Sequence, residues 1–381
     1  MQYRSFGKLD WDVSVLSFGA MRLPLIENSQ GEVDEAEAIK MMRHSIDKGV
    51  NYVDTAYVYH GGKSEVVVGK ALQDGYRDKV KIATKLWPGA LKKTEDMDTV
   101  LNEQLERLQT DTIDFYLLHG LNQTSWPKLK ELDVLNWAEG AQKDGRIKHL
   151  GFSFHDTLDT FKEIVDDYDK WVFCQIQLNY MDVEFQAGLE GLKYASDRGL
   201  AVIVMEPLRG GLLSKEPPKS VAAHWEKAPT ERPLADWALQ WVWDYPEVAT
   251  VLSGMTTMQH VEENLISADI AKAGSLTGEE LAVIDKVREE YKKLIPIDCT
   301  YCKYCMPCSE NVNIARIFEL YNTVKTYGGD PTRAQFMYQG FLAGQTGDLC
   351  TECYECEEAC PQEIAIVEWL KEAHELLGPN K

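Results

Sequence analysis

Short runs of apolar, mostly β-branched residues alternate along the chain with longer stretches in which apolar positions recur every three or four residues. The short runs are VSVLSFGA (13–20), NYVDT (51–55), VKIATK (80–85), TIDFYLLH (112–119), HLGFSF (149–154), VFCQIQ (172–177), LAVIVM (200–205) and ATVLSG (249–254). They are nearly continuous in hydrophobicity, the pattern of parallel strands covered on both faces. Between them lie helical patterns such as EAEAIKMMRHSIDKG and TVLNEQLERLQT. Eight strand–helix units in about 290 residues predict an α/β fold of the (β/α)8 TIM-barrel type. A doubly wound open sheet is the alternative, but it wants GxGxxG after the first strand, and SFGAMRLP lacks it.

A last helical pattern, SLTGEELAVIDKVREEYKKL, closes this region, with Thr277 placed to cap it. The pattern changes after it, which sets a boundary near residue 293. Residues 1–293 form the expected barrel and 294–381 a small second domain. Of the nine cysteines, only Cys174, inside a predicted strand, lies outside that tail; it reads as a small buried hydrophobe. The tail segment from Ser309 to Leu349 reads as two helices broken at YGGDP.

Composition narrows the function classes. A 44% hydrophobic content in 381 residues is that of a globular chain, and the formal net charge is −21. Such a surface offers no counter-charge to nucleic acid or to an anionic membrane, so neither is an expected partner. No stretch approaches a membrane span. The opening MQYRSFGKLDWDVSVLSFGAM lacks the layout of a signal peptide, and a cytoplasmic location is the expectation. In a reducing cytosol, clustered cysteines point to metal or redox chemistry rather than disulfides.

In barrels of this kind the reactive groups sit at the C-terminal ends of the strands. The second predicted strand leads into DTAYVY, with Asp54 and Tyr59; the third ends at Lys85 and the fourth at His119. A carboxylate, a phenol, an ammonium and an imidazole at neighbouring strand ends make a proton-donating site. The phenol ordinarily titrates near pH 10, and an adjacent ammonium is expected to lower that value. Asp54 would hold the ammonium, and His119 would orient a carbonyl oxygen. Tyr57, His60, Trp87 and Phe154 are candidates to line an aromatic substrate pocket, or to pack beneath loops.

These residues carry a resemblance. The first ~290 residues resemble the aldo/keto reductase family, most specifically in NYVDTAYVYHGGKSEVVVGKAL and in the opening YRSFGKLDWDVSVLSFGAMRL. The resemblance implies hydride transfer between NADP or NAD and a small carbonyl or alcohol substrate. Asp54, Tyr59, Lys85 and His119 would be the catalytic tetrad, with Tyr59 the general acid/base. It further implies Ser153 and Gln175 at the nicotinamide amide. EPLRGGLL, with Pro207, Leu208, Arg209, Gly210 and Gly211, would lie along the pyrophosphate, and Glu263 and Asn264 near the adenine. Three departures stand out. Met205 occupies the position of an aromatic that stacks on the nicotinamide. Phe154 and His155 follow Ser153 where Asn is usual. SGMTTMQHVEEN has no Lys or Arg for a 2′-phosphate, with His260 where Arg is common. Both NADPH and NADH therefore stay open.

The tail has its own spacing. Cys299, Cys302, Cys305 and Cys308 form one run; Cys350, Cys353, Cys356 and Cys360, followed by Pro361, form CxxCxxCxxxCP. That is ferredoxin spacing, in which the fourth cysteine reaches the other cluster. Two 4Fe–4S clusters are expected, one on Cys299, Cys302, Cys305 and Cys360, the other on Cys350, Cys353, Cys356 and Cys308. A zinc site would instead want separated CxxC pairs. The segment between the runs resembles the α-helical type of two-cluster ferredoxin domain. The whole chain resembles aldo/keto reductases with a C-terminal ferredoxin-like domain. The clusters would relay electrons to a ferredoxin or flavoprotein partner, staple a small domain, or sense redox state, in a low-oxygen or anaerobic cytoplasm. A flavin has no sequence signature here. A non-catalytic, redox-sensing or regulatory NAD(P)-binding module is the alternative function, and the oligomeric state is open.

Overall fold

The structure is a computed structural model in which residues 1–27, 29, 32–299, 304–327, 330–360 and 362–379 are described. By its internal contacts the chain divides into two compact units: Met1–Leu208 with Arg232–Leu276, and Arg209–Glu231 with Thr277–Lys381.

The first unit opens with a hairpin, β1 (Tyr3–Ser5) against β2 (Asp12–Ser14), and continues into a closed barrel of eight parallel strands. These are β3 (Leu16–Gly19), β4 (Tyr52–Asp54), β5 (Lys81–Leu86), β6 (Ile113–Leu121), β7 (Ile147–Phe154), β8 (Phe173–Gln177), β9 (Ala201–Met205) and β10 (Val248–Ser253), with β10 pairing back onto β3. All eight expected strands are present and buried on both faces, and helices connect them.

The run 13–20, expected as one strand, is two. The break falls at Val15, whose N–H donates to the Gln2 carbonyl while its own carbonyl accepts from Val251 N (2.9 Å) and Trp243 Nε1 (2.8 Å). Residues up to Ser14 serve the hairpin, and those from Leu16 serve the barrel. Apolar content cannot reveal this switch, because both segments are buried. The hairpin closes one end of the barrel. Phe6, from its turn, enters an aromatic core with Tyr52, Phe115 and Phe173, and lies 4.6 Å from Phe115 between ring centroids. Tyr52 and Phe173 are the first residues of β4 and β8, so the plug sits at the N-terminal ends of the strands and leaves the C-terminal ends for chemistry.

In the second unit the helix Gly278–Leu294 starts at Thr277, whose hydroxyl accepts from Glu280 N in a full capping box. The helices Ile314–Tyr327 and Thr332–Phe336 flank Gly328 and Gly329, the expected break, which lies outside the described residues. A further helix, Ile366–Leu377, buries Ile366, Leu370, Ala373 and Leu377 along one stripe. With Val312, Ile314, Ile317, Phe318, Tyr321 and Tyr338 they form the core of the tail. Among the described tail residues there is no strand. Among the described residues of the chain, no helix is long and apolar enough to cross a membrane.

Replacing Phe6 with Ala should remove the plug's central ring and lower stability by about 4 kcal/mol. Chemical denaturation of the F6A variant should show the first transition moved to clearly lower denaturant; an unmoved midpoint would mean that the hairpin does not close the core.

Candidate active site and cysteine cavity

Three strand ends and the turn that follows the first of them bring the acid–base candidates together. Asp54 is the last residue of β4, Lys85 the fifth of β5, and His119 lies near the end of β6. Tyr59 opens a short 3-10 turn, Tyr59–Gly62, that carries the chain from β4 into the helix Lys63–Ala71. The turn runs through left-handed backbone at His60, Gly61 and Gly62, which glycine adopts at little cost. The Lys85 side chain has 0% exposure, and its Nζ donates to Asp54 Oδ1 at 2.6 Å and to the Thr55 carbonyl at 2.8 Å. The same ammonium lies 5.0 Å from the Tyr59 ring centroid. The Tyr59 and His119 rings meet edge to face at 6.0 Å.

The electrostatics of this group differ in one respect from expectation. Burial pushes the Tyr59 phenol up; Lys85 pulls it down, Asp54 and Glu206 add to the rise, and the net direction is above the ordinary value near 10. The lowering influence of Lys85 is present, but loss of solvent outweighs it. Burial alone would depress Lys85, yet Asp54 and Tyr59 hold it above the usual lysine value. It therefore stands as an ammonium opposite the Asp54 carboxylate. Burial, then the Lys85 charge and His155, hold His119 well below the ordinary histidine value, so its imidazole is neutral.

The remaining candidates at these strand ends are placed as follows. Ser153 is in β7, where its Oγ accepts from Gly120 N at 2.8 Å. Gln175, in β8, donates from Nε2 to the Met205 sulfur at 3.3 Å, while its Oε1 is buried with no partner. His119 Nδ1 and Asp54 Oδ2 are likewise buried and unpartnered. Three orphaned polar atoms of this kind fit a site that expects polar ligands, and an orphan acceptor on Gln175 suits a carboxamide N–H. Asn264 donates to Ser253 Oγ at 2.8 Å inside the unit; Glu263 is exposed and accepts from Gln259. Pro207 and Leu208 follow β9. Arg209, Gly210 and Gly211 fall in the second unit. There the Arg209 guanidinium, only 7% exposed, is bonded to Asp298 Oδ1 at 2.8 Å, one residue before Cys299. Of the pocket candidates, Tyr57 donates to Glu103 and Phe154 packs against Phe161. His60 accepts from Leu23 N, and Trp87 is exposed.

Sequence reasoning passed over a buried polar group beyond β8. Asn179 Nδ2 donates to Asp182 Oδ2 and to the Glu206 carbonyl, and Gln177 Nε2 also reaches Asp182. This fixes Glu206, which has positive φ, at the end of β9. QLNYMD contains the polar residues, but nothing in their spacing says that they face inward.

In the second unit, a cavity of about 200 Å³ is lined by Cys308, Cys350, Cys353 and Cys356, together with Cys305, Tyr304, Tyr354 and the aliphatic Ile314, Val367 and Leu370. The first four are the set expected for one cluster, drawn from both runs. Burial, with Cys350 beside it, pushes the Cys356 thiol up to about 11. Thiols so gathered ionise only against compensating positive charge, which cluster irons supply. Cys299, Cys305 and Cys360 pack against the helical core; Cys302 and Pro361 lie outside the described residues. Among the described residues, no three His, Cys, Asp or Glu side chains form a single-ion group. The donor set fits a cluster, which spreads its thiolates over separate irons.

Comparison with known proteins assigns both parts of the chain to known families. Residues 15–289 match the model of the aldo/keto reductase family, and residues 298–365 that of a 4Fe–4S dicluster domain. L-galactose dehydrogenase of Arabidopsis thaliana is 26% identical over 318 residues, covering 77% of this chain and 96% of that one. The holo form of an aldo-keto reductase from Bacillus halodurans superposes with a TM-score of 0.62 at 28% identity, over 75% of this chain and 96% of the other. An aldo-keto reductase from Klebsiella pneumoniae in complex with NADPH gives 0.59 at 25%, over 76% and 96%.

A pH test follows from His155, whose Nδ1 lies 3.2 Å from Gln186 Oε1 and whose pKa burial lowers from 6.5 to about 4. Below pH 6.5 the unfolded chain takes up a proton that the folded chain refuses. Stability is therefore lost as pH falls through this window, by about 3 kcal/mol in all. In denaturant titrations at pH 7 and 4.5, the His155→Gln variant should lose less stability than the parent. Equal losses would count against a buried, neutral His155.

Proposed function

The chain belongs to the aldo/keto reductase family and carries a 4Fe–4S dicluster domain, and from that premise we propose that it is an NAD(P)H-dependent oxidoreductase. It reduces an aldehyde or ketone, or oxidises the corresponding alcohol, with Tyr59 as general acid/base. The observation that carries this reading is the buried Lys85 ammonium, bonded to Asp54 at 2.6 Å and facing the Tyr59 ring, with a neutral His119 beside that ring.

A bound nicotinamide coenzyme supplies the hydride. The neutral His119 imidazole donates a hydrogen bond that orients the carbonyl oxygen. Tyr59, protonated at neutral pH, gives its proton to that oxygen as negative charge builds there. Lys85 stabilises the phenolate left behind, and Asp54 keeps the ammonium from turning away. In the alcohol direction the same groups run in reverse, and the phenolate takes the proton. The orphan Gln175 Oε1 and Ser153 would hold the coenzyme's carboxamide. NADPH in the Klebsiella pneumoniae relative favours NADPH; the loop from 253 to 264, without Lys or Arg, favours NADH. A regulatory module that had abandoned catalysis would have no need of four intact acid–base groups.

For the tail we propose two clusters with the ligand sets given above, in a low-oxygen cytoplasm. Six of the seven described tail cysteines pack on the helical core, which favours stapling. Cys353 is exposed, which favours electron passage to a ferredoxin or flavoprotein.

Turnover of a panel of aldehydes and ketones, followed anaerobically at the nicotinamide band, should be lost by more than 100-fold in Tyr59→Phe while coenzyme still binds. A Tyr59→Phe protein with full turnover would remove Tyr59 from the mechanism. Watching the cluster absorbance in the same experiment separates the two roles of the tail: unchanged clusters mean stapling, and bleaching on reduced nicotinamide means electron passage. Cys308→Ser should lower bound iron by about half; full iron content would break the proposed ligand set.

A further inference from the structure

Behind the Lys85–Asp54 pair lies a second buried charge that the chemistry above does not use. Glu65 sits in the first turn of the helix Lys63–Ala71 and has no exposed surface. Its Oε1 accepts from Thr84 Oγ1 at 2.6 Å and from Gln104 Nε2 at 2.8 Å; its Oε2 accepts from Arg107 Nη1 at 3.1 Å. Every partner leads back to the acid–base group. Thr84 directly precedes Lys85 in β5. Gln104 Nε2 also donates to the main-chain oxygen of Lys85 at 3.1 Å, and its Oε1 accepts from Tyr116 OH at 2.7 Å. Arg107 Nη1 also donates to the main-chain oxygen of Tyr57 at 3.3 Å, two residues before Tyr59. The Arg107 guanidinium covers the Tyr57 ring at 4.4 Å, and the Tyr57 hydroxyl donates to Glu103, which Arg107 also meets.

The backbone is shaped to admit this pair. A Cβ at Gly62 would press on Arg107 Nη1 at 3.2 Å, and a Cβ at Gly69 would collide with the Arg107 carbonyl oxygen. A buried carboxylate is costly unless it is paired and fully hydrogen-bonded, and here both oxygens are used. Its bonds fall into two sets. One grips the strand on which Lys85 is mounted; the other grips the loop that carries Tyr59.

We propose that Glu65 and Arg107 are positioning residues for the acid–base step: their ion pair sets the spacing between the Tyr59 phenol and the Lys85 ammonium. The inference rests on the reading of Tyr59 as general acid. Four charged or titratable groups face the phenol: Lys85 from β5, Asp54 from β4, His119 from β6, and Glu206 after β9. Among these, Lys85 is the one that favours the phenolate. Loosening the loop therefore weakens a stabilising influence and leaves the opposing ones in place.

The test uses the full, cluster-loaded protein. Glu65→Gln keeps an acceptor for Thr84 and Gln104 but removes the charge opposite Arg107. Arg107→Leu removes the other end, and Arg107→Lys restores a charge there. With NADPH or NADH and 4-nitrobenzaldehyde, Glu65→Gln and Arg107→Leu should each lower kcat about tenfold, since small displacements of reacting groups are costly. KM for the aldehyde and Kd for the coenzyme should stay within about twofold, as binding contacts are untouched. The rising limb of 4-nitrobenzyl alcohol oxidation should move to higher pH. So should the phenolate absorbance that separates each variant from its Tyr59→Phe double mutant, a readout independent of turnover. Arg107→Lys should recover part of kcat, and the two deletions together should do little more than either alone. A lowered melting temperature with parental kcat per folded molecule and an unmoved pH limb would overturn the proposal, leaving Glu65 a purely structural group. If Glu65→Gln fails to fold, Arg107→Leu, at the more open end of the pair, decides the matter. Full turnover in Tyr59→Phe alone would instead overturn the reading of the acid, a separate and recognisable failure.

Discussion

A lysine ammonium with no exposed surface has to be neutralised where it stands, and the C-terminal end of this barrel is organised around that requirement. Lys85 reaches Asp54 on the neighbouring strand and the Thr55 carbonyl beyond it, so β4 and β5 are joined by charge as well as by backbone pairing. Removing one partner of such a pair strands the other in a poorly solvating interior. Asp54 is therefore tied to Lys85, and the loop that leaves Asp54 must bring Tyr59 back over the ammonium. Buried polar side chains gather at this end, where Glu65, Thr84 and Gln104 stand behind Lys85. The opposite end is closed by aromatic rings around Phe6, which make no such demand. A single barrel thus sets an aromatic plug at one end against a polar cluster at the other, where Lys85 and Glu65 each meet a partner of opposite charge.

Much of this was legible in the sequence because barrel topology ties position to chemistry. Strand ends can be found from hydrophobic runs, and parallel strands put all their C-terminal ends on one side. Asp54, Lys85 and His119 could be grouped on that basis, and Tyr59 by its distance beyond a strand end. Other features were not legible. The division of residues 13–20 between hairpin and barrel depends on partners, Gln2, Val251 and Trp243, that no local pattern names. Glu65 looks like an ordinary acidic residue early in an amphipathic helix; its interior position comes from Thr84, Gln104 and Arg107, which no local pattern names. Tyr57 and Phe154, aromatic residues beside the site in sequence, turn toward Glu103 and Phe161. The direction of a side chain beyond a strand end is set by contacts the chain makes elsewhere.

The tail shows the reverse balance. Its cysteine spacing is legible to the residue, because a cubane would impose its geometry on a short loop, and five of those cysteines line one cavity drawn from both runs. Its fold is less so. The helix Ile366–Leu377 contributes an apolar stripe that recurs about once per turn, yet it lies beyond the last cysteine, where spacing carries no information. Nor does any motif announce that the segment Arg209–Glu231 shares a compact unit with Thr277–Lys381, or that Arg209 is bonded to Asp298. A residue expected from resemblance to meet a pyrophosphate is, in this chain, bonded to Asp298, one residue before the first cysteine of the tail. That is a difference of context which residue-by-residue transfer cannot see.

The raised phenol of Tyr59 bears on how the site works. An ammonium close to a phenol suggests a readily formed phenolate, but burial wins here, and the resting acid keeps its proton. For carbonyl reduction this is the useful state, since the group must begin protonated and ionise only as charge develops on the substrate oxygen. In the mechanism proposed above, the Lys85 charge would do its main work on the phenolate side of the step, where a low-dielectric setting makes a nearby cation most effective. Desolvation and ion pairing act on the same atom in opposite senses. The first holds the proton before reaction, and the second makes its departure tolerable. A site with only the ammonium would favour a phenolate too early, and one with only burial would hold the proton too well. On the proposed mechanism, their coexistence gives a reason for burying Lys85 and Asp54 together with Tyr59 rather than leaving them at a solvated rim.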